Sequence, residues 1–155
     1  MLLENYIDHT LLKPDATPQN IIQLCKEAKS YNFFAVCING SFVGLAKREL
    51  ANSNIKIVAV VGFPIGASAT SIKVLETKTC INDGADEIDM VINIGMLKSK
   101  DFKYVENEIL AVKNEVGNRV LKVIIETCYL TDEEKKVACK LAMNAGADFV
   151  KTSTG

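Results

Sequence analysis

The chain has one histidine, no tryptophan and three prolines in 155 residues. A single histidine, His9, rules out a histidine-built metal site within one chain, because such sites need several imidazoles. The five cysteines, Cys25, Cys37, Cys80, Cys128 and Cys139, are odd in number and widely spaced, and no CxxC occurs. That pattern suits reduced thiols in a cytosolic protein, not a disulfide framework or a zinc site. No apolar run approaches the roughly 20 residues a membrane span needs. Met1-Leu2-Leu3-Glu4-Asn5-Tyr6 lacks the basic region and long apolar segment of a signal peptide, so none is expected. Neither sign of charge dominates, with 18 Lys and Arg against 19 Asp and Glu, a net charge of −1. Nucleic-acid and membrane-surface partners are therefore not expected.

What is present is ordinary for a globular protein: 48% hydrophobic and 24% charged residues. The length suggests one domain with a real core. Short runs rich in Val, Ile and Phe predict strands at Tyr6–Asp8, Phe33–Ile38, Ile55–Val61, Glu87–Ile92, Leu121–Ile125 and Asp148–Lys151. Amphipathic stretches separate them. Thr17-Pro18 is a cap followed by a first-turn proline, and Ile21, Leu24, Cys25 and Ala28 follow at helical spacing. Val105, Ile109, Val112 and Val116 mark a second helix. Thr131-Asp132-Glu133-Glu134 is a capping box for a third, with Val137, Ala138, Leu141, Ala142 and Ala145 as its apolar stripe. Asn82-Asp83-Gly84-Ala85-Asp86 and Asn144-Ala145-Gly146-Ala147-Asp148 each precede a strand, and each glycine can end a helix in a left-handed conformation. The whole reads as repeating βα units with a parallel sheet.

Two folds fit that pattern, an open doubly wound sheet or a (β/α) barrel. Parity separates them. Glu87, Asp89 and Val91 share one face of the fourth strand, Lys122, Ile124 and Glu126 one face of the fifth, and Phe149 and Lys151 one face of the sixth. A sheet with helices on both faces has no good place for Asp89, Lys122 and Lys151. A barrel places them in its lumen near the C-terminal mouth. At roughly 25–35 residues per unit, eight units need about 220–250 residues, so only about six are expected here.

Lys151 ends a strand in Phe149-Val150-Lys151-Thr152-Ser153-Thr154-Gly155. Two readings are open for it: a surface lysine, or a lysine converging with Lys122 and Asp89 in one polar pocket. A lysine amine partly removed from water beside another cation is a good nucleophile toward carbonyls and forms Schiff bases. Asp89 is either a counter-ion for Lys122 or a proton-relay residue, and these are compatible. Asp8 and Thr10, placed at the end of the first strand, suit capping and turn formation. Cys37 reads as a small buried hydrophobe and His9 as a local hydrogen-bonding residue. Gly62-Phe63-Pro64-Ile65-Gly66 could be a mouth loop and matches no phosphate-binding fingerprint. Lys98, Lys100, Lys103, Lys135, Lys136 and Lys140 are expected on solvated helix faces.

The combination resembles the deoxyribose-phosphate aldolase family. The matching segments are Ile7-Asp8-His9-Thr10-Leu11-Leu12-Lys13-Pro14, Val36-Cys37-Ile38, Val60 through Gly66, Gly84 through Gly95, Leu121 through Thr127, and Phe149 through Gly155. The likeness runs over nearly all of the chain. It implies a (β/α)8 TIM-barrel, class I aldolase that uses no metal or other cofactor, cleaving 2-deoxy-D-ribose 5-phosphate reversibly to acetaldehyde and D-glyceraldehyde 3-phosphate. By the resemblance, the Schiff-base lysine falls on Lys151, the proton relay on Asp89 and the neighbouring barrel lysine on Lys122. Asp8 and Thr10 match mouth positions lining the substrate site, and Thr154 matches a residue close to the Schiff base. The implied partners are small-molecule substrates and a possible second copy of the chain, in the cytoplasm.

The family continues past the final glycine into two more strands, which carry a second lysine and the phosphate-binding loops. Residues 1–155 are therefore expected to form a single incomplete barrel domain that is poorly stable, associated, or completed by something else. Two other functions stay open: a non-catalytic remnant that folds with another chain, and a different Schiff-base aldolase or a transaldolase.

Overall fold

Strands and helices alternate through the computed structural model, which describes residues 2–155. The chain divides into two compact units, Met1–Val60 with Thr79–Glu87, and Val61–Lys78 with Ile88–Gly155.

In the first unit, strands β1 (Asp8–Leu11), β2 (Ala35–Asn39) and β3 (Lys56–Val61, through Val60) lie side by side in chain order. The pairings are parallel, with Thr10 opposite Cys37 and Cys37 opposite Val58. Helix α1 (Pro18–Tyr31) starts where the sequence places it. Thr17 and Asn20 form a reciprocal capping box, Pro18 opens the first turn, and Asn32 ends the helix at φ 52°. Its buried residues are the expected Ile21, Leu24, Cys25 and Ala28. Burial, reinforced by the Glu49 carboxylate, raises the Cys25 thiol to about 11, so it acts as a hydrophobe. Helix α2 (Val43–Glu49) leads toward β3. No disulfide joins the cysteines, and Cys37 is fully buried in β2 as expected.

The first strand differs from its sequence expectation. Tyr6 closes a 3-10 turn, Leu3–Tyr6, and is 69% exposed. The strand starts at Asp8, where main-chain pairing with Ala35 begins. Asp8 therefore opens β1 instead of closing it, and Thr10 lies within it.

Helix α3 (Thr70–Asp83) belongs to the second unit as far as Lys78. Strands β4 (Glu87–Val91, from Ile88), β5 (Val120–Ile124) and β6 (Phe149–Lys151) follow in chain order. Helices α4 (Ile94–Lys98), α5 (Phe102–Val116) and α6 (Asp132–Asn144) connect them. The predicted α5 stripe, Val105, Ile109, Val112 and Val116, is buried, and so is Glu108. Thr131 and Glu134 form the expected box on α6, which buries Ala138, Leu141 and Ala142 while Val137 stays partly open.

The repeated Gly-Ala-Asp motif has a second purpose beyond its glycines, which do take positive φ of 112° and 81° at Gly84 and Gly146. In the first unit, Asp86 Oδ2 accepts from the Ile57 N–H at 2.9 Å, and the Asp86 N–H donates to the Ile57 carbonyl at 2.8 Å. In the second, Asp148 Oδ2 accepts from the Leu121 N–H at 2.8 Å, and the Asp148 N–H donates to the Leu121 carbonyl at 3.0 Å. Each aspartate thus fixes the start of the strand before its own and satisfies main-chain groups that the ladder leaves over.

Among the described residues no helix is long and apolar enough to cross a membrane. Lys98, Lys135 and Lys136 lie in surface ion pairs with Glu134, Asp132 and Glu133, as expected of helix-face charges.

Candidate active site

Strand register brings three predicted residues together. Lys122 pairs with Phe149 and Ile124 with Lys151, so the two lysines share a face of the β5–β6 ribbon, two residues apart along it. Asp89 lies in the middle of β4, with every residue of that strand buried. Its Oδ1 accepts from Lys122 Nζ at 3.1 Å and its Oδ2 from Lys151 Nζ at 2.5 Å. The Asp89 side chain is 0% exposed, that of Lys122 14% and that of Lys151 33%. Two cations therefore converge on one carboxylate that water does not reach, and the outer cation keeps an open side. A carboxylate so placed can hold and return a proton, and the open amine is reachable by a small carbonyl compound.

The main chain around Lys151 is tied down. The Ile125 N–H donates to the Lys151 carbonyl at 3.0 Å and the Thr127 N–H to the Thr152 carbonyl at 2.8 Å, extending the ladder past both strands. Between them Glu126 adopts φ 50°, an unusual value for a non-glycine residue, and is buried. Its Oε2 accepts from the Thr154 hydroxyl at 2.5 Å and from the Thr154 N–H at 3.2 Å. Thr154, singled out from the sequence, is thus held by Glu126, which was not.

Asp8 and Thr10 lie in the first unit. The Thr10 hydroxyl donates to the Asp8 carbonyl at 2.7 Å, a local turn-type bond of the kind the sequence suggests. Thr10 borders a surface cleft of about 450 Å³ with His9, Lys13 and Glu27. His9 is a local hydrogen-bonding residue as expected, its Nε2 lying 2.8 Å from Glu27 Oε2.

A second charged cluster in the second unit has no counterpart in the sequence expectations. Lys73 of α3 and Glu108 of α5 form an ion pair at 2.8 Å, both side chains 0% exposed. Lys73 Nζ also donates to the carbonyls of Gly66 at 2.7 Å and Val91 at 2.8 Å, while Glu108 Oε2 accepts from the Asn93 N–H at 3.0 Å. Burial pushes the Lys73 ammonium down and the Glu108 carboxyl up, and each partner's charge opposes the other's shift. A signal was available: Glu108 falls at a core position of the α5 stripe, between Val105 and Val112.

Comparison with known proteins identifies the family. The family model for DeoC/LacD family aldolase matches residues 3–155. A deoxyribose-phosphate aldolase of Finegoldia magna is 59% identical over 155 residues, all of this chain and 73% of the relative. A crystal structure assigned as a deoxyribose-phosphate aldolase from Coccidioides immitis is 41% identical, with a TM-score of 0.94 over 95% of this chain and 58% of that one. The deoxyribose phosphate aldolase from Aeropyrum pernix, described as tetrameric, is 31% identical, with a TM-score of 0.87 over 98% of this chain and 64% of its own. The barrel alternative therefore holds over the open sheet: six parallel strands with intervening helices make up part of a TIM-barrel-type fold. The chain belongs to the DeoC/LacD aldolase family.

Proposed function

We propose that this chain carries the Schiff-base site of an aldolase that reversibly cleaves 2-deoxy-D-ribose 5-phosphate to acetaldehyde and D-glyceraldehyde 3-phosphate. The observation that carries the proposal is the pair of lysines on one dry carboxylate: Lys151 at 2.5 Å and Lys122 at 3.1 Å from Asp89. The 59% identity to a protein named for this reaction supports the choice of substrate.

In the synthetic direction the neutral Lys151 amine adds to the acetaldehyde carbonyl. The carbinolamine loses water to give an imine, with Asp89 passing the proton to the leaving hydroxyl. The imine draws electrons from the methyl carbon, which gives up a proton to the Asp89 carboxylate and becomes an enamine. The enamine carbon attacks the aldehyde of glyceraldehyde 3-phosphate and forms the new carbon–carbon bond. Water then adds to the product imine, and its breakdown frees both sugar and lysine. The cleavage direction retraces these steps. Lys122 supplies a second positive charge beside the forming oxyanion and holds Asp89 in place. Asp8, Thr10 and Thr154 are the proposed substrate-lining residues, and a cytoplasmic location and a homo-oligomer complete the reading.

The test is borohydride trapping of the purified chain with acetaldehyde, with the adduct located by peptide mass spectrometry. An adduct on Lys151 that is lost in Lys151→Ala is expected. A folded protein that gives no adduct, or an adduct surviving that substitution, ends the proposal and favours the non-catalytic reading.

A further inference from the structure

We infer that the buried Lys73–Glu108 pair is a positioning device for Asp89, holding the C-terminal end of β4 against the Gly62–Gly66 loop. The inference rests on the proposed role of Asp89 as proton relay.

Apart from the bond that joins them, both partners bind main chain at the end of β4 and in the Gly62–Gly66 loop. The three Lys73 ammonium bonds go to Glu108, to the carbonyl of Gly66 and to the carbonyl of Val91, two residues after Asp89. The free oxygen of Glu108 takes the Asn93 N–H, four residues after Asp89. Both groups therefore grip the same short stretch, from the strand end to the first turn of α4. The loop is pressed onto that stretch: a Cβ on Gly66 would collide with the Ile92 carbonyl oxygen, and one on Gly62 would lie 2.8 Å from Lys73 Cε. The Ile92 N–H meanwhile donates to the Ile124 carbonyl at 3.1 Å, two residues after Lys122. One rigid connection thus runs from the pair through residues 91–93 to the strands bearing Asp89 and Lys122.

Stability alone does not account for such a pair. Two ions buried without water seldom outperform apolar residues of equal volume, so an ionic grip at this place has to act through geometry. A proton relay depends on geometry at the level of a fraction of an ångström.

The experiment uses the full chain and the double variant Lys73→Met with Glu108→Leu, alongside Glu108→Gln, which keeps volume and removes one charge. Enzyme-dependent deuterium uptake into the methyl group of acetaldehyde in D2O reads enamine formation, and borohydride trapping reads imine formation. Thermal unfolding is measured on the same samples. The expected result is a melting temperature equal to or above that of the unmodified chain in the double variant and a lower one in Glu108→Gln, which leaves the Lys73 charge unpaired, with a retained Lys151 adduct and deuterium uptake at least tenfold slower in both. If the double variant does not fold, the same loss of uptake in folded Glu108→Gln carries the inference. Unchanged uptake in any folded variant overturns it. An unmodified chain that forms the adduct but takes up no deuterium overturns the relay role of Asp89, and this inference with it. No adduct at all overturns the proposed function instead, and the inference falls too.

Discussion

Two lysine–carboxylate clusters lie in the second unit of this chain, and they differ in water and in stoichiometry. At Lys73–Glu108 one cation meets one anion, both fully buried, and the ammonium protons all meet fixed acceptors. At Asp89 one buried carboxylate meets two cations, and the outer one, Lys151, is 33% exposed. Lys73 is enclosed, so no carbonyl compound can reach it even though burial pushes its ammonium down. Lys151 shares its counter-ion and keeps an open side from which a small carbonyl compound can reach it. On the proposed reading, the same residue type serves as a bolt in one place and as a reagent in the other. The difference lies in how the counter-ion is shared and in access, not in the mere presence of a buried charge.

The sharpest way to break this contrast is to remove each lysine in turn. Lys151→Met should abolish aldehyde trapping and cut aldol cleavage by about 10⁴-fold or more, with little change in melting temperature. Lys73→Ala should do the reverse at first order. It leaves Glu108 buried without its cation and should destabilise the chain by about 3–5 kcal/mol, measured by urea unfolding. Were Lys73→Ala to unfold no more readily than Lys151→Met, the distinction between bolt and reagent would collapse. Asp89→Asn tests the shared carboxylate itself. Losing an acid–base group should slow deuterium uptake by about 10²–10⁴-fold while trapping on Lys151 persists.

How far the sequence carried these conclusions depends on which physical signal each feature has. The trio was legible because strand parity is rigid: residues two apart share a face, and Lys122, Lys151 and Asp89 all sat on the polar side of otherwise apolar runs. The α1 and α6 starts were legible because capping residues act locally on the next turn. The start of β1 was not, because Tyr6 and Ile7 look like a strand, while the actual boundary is set by where main-chain pairing with Ala35 begins. The Lys73–Glu108 pair was missed for the same kind of reason. Its partners lie 35 residues apart on two helices, and each alone resembles a surface charge. Only Glu108, intruding on an apolar stripe, gave any hint. The Gly-Ala-Asp repeat was half legible. Its glycines announced helix ends, but the bond from each aspartate to an earlier strand start is a tertiary contact.

That repeat gives the smallest and most controlled test, because Asp148 is a partly open carboxylate to set against the sealed Glu108. Desolvation, the largest influence on Asp148, pushes its pKa up. The Leu121 N–H and the Lys113 ammonium at 2.6 Å together outweigh it, so the net shift is downward, whereas burial drives Glu108 upward. The sign follows directly. A carboxyl whose folded pKa lies below its unfolded value of about 3.9 contributes stability above that value, and the contribution disappears as pH falls through the folded pKa. With the side chain 39% exposed, solvent screening limits the effect to about 1 kcal/mol or less. Asp148→Asn keeps an acceptor for the Leu121 N–H and removes the charge. The variant should therefore unfold at slightly lower urea concentration than the unmodified chain at pH 7. The gap should narrow steadily below about pH 4. A gap that stayed constant with pH would mean that Asp148 acts only as a neutral hydrogen-bond acceptor, and that Lys113 adds nothing to the anchoring of β5.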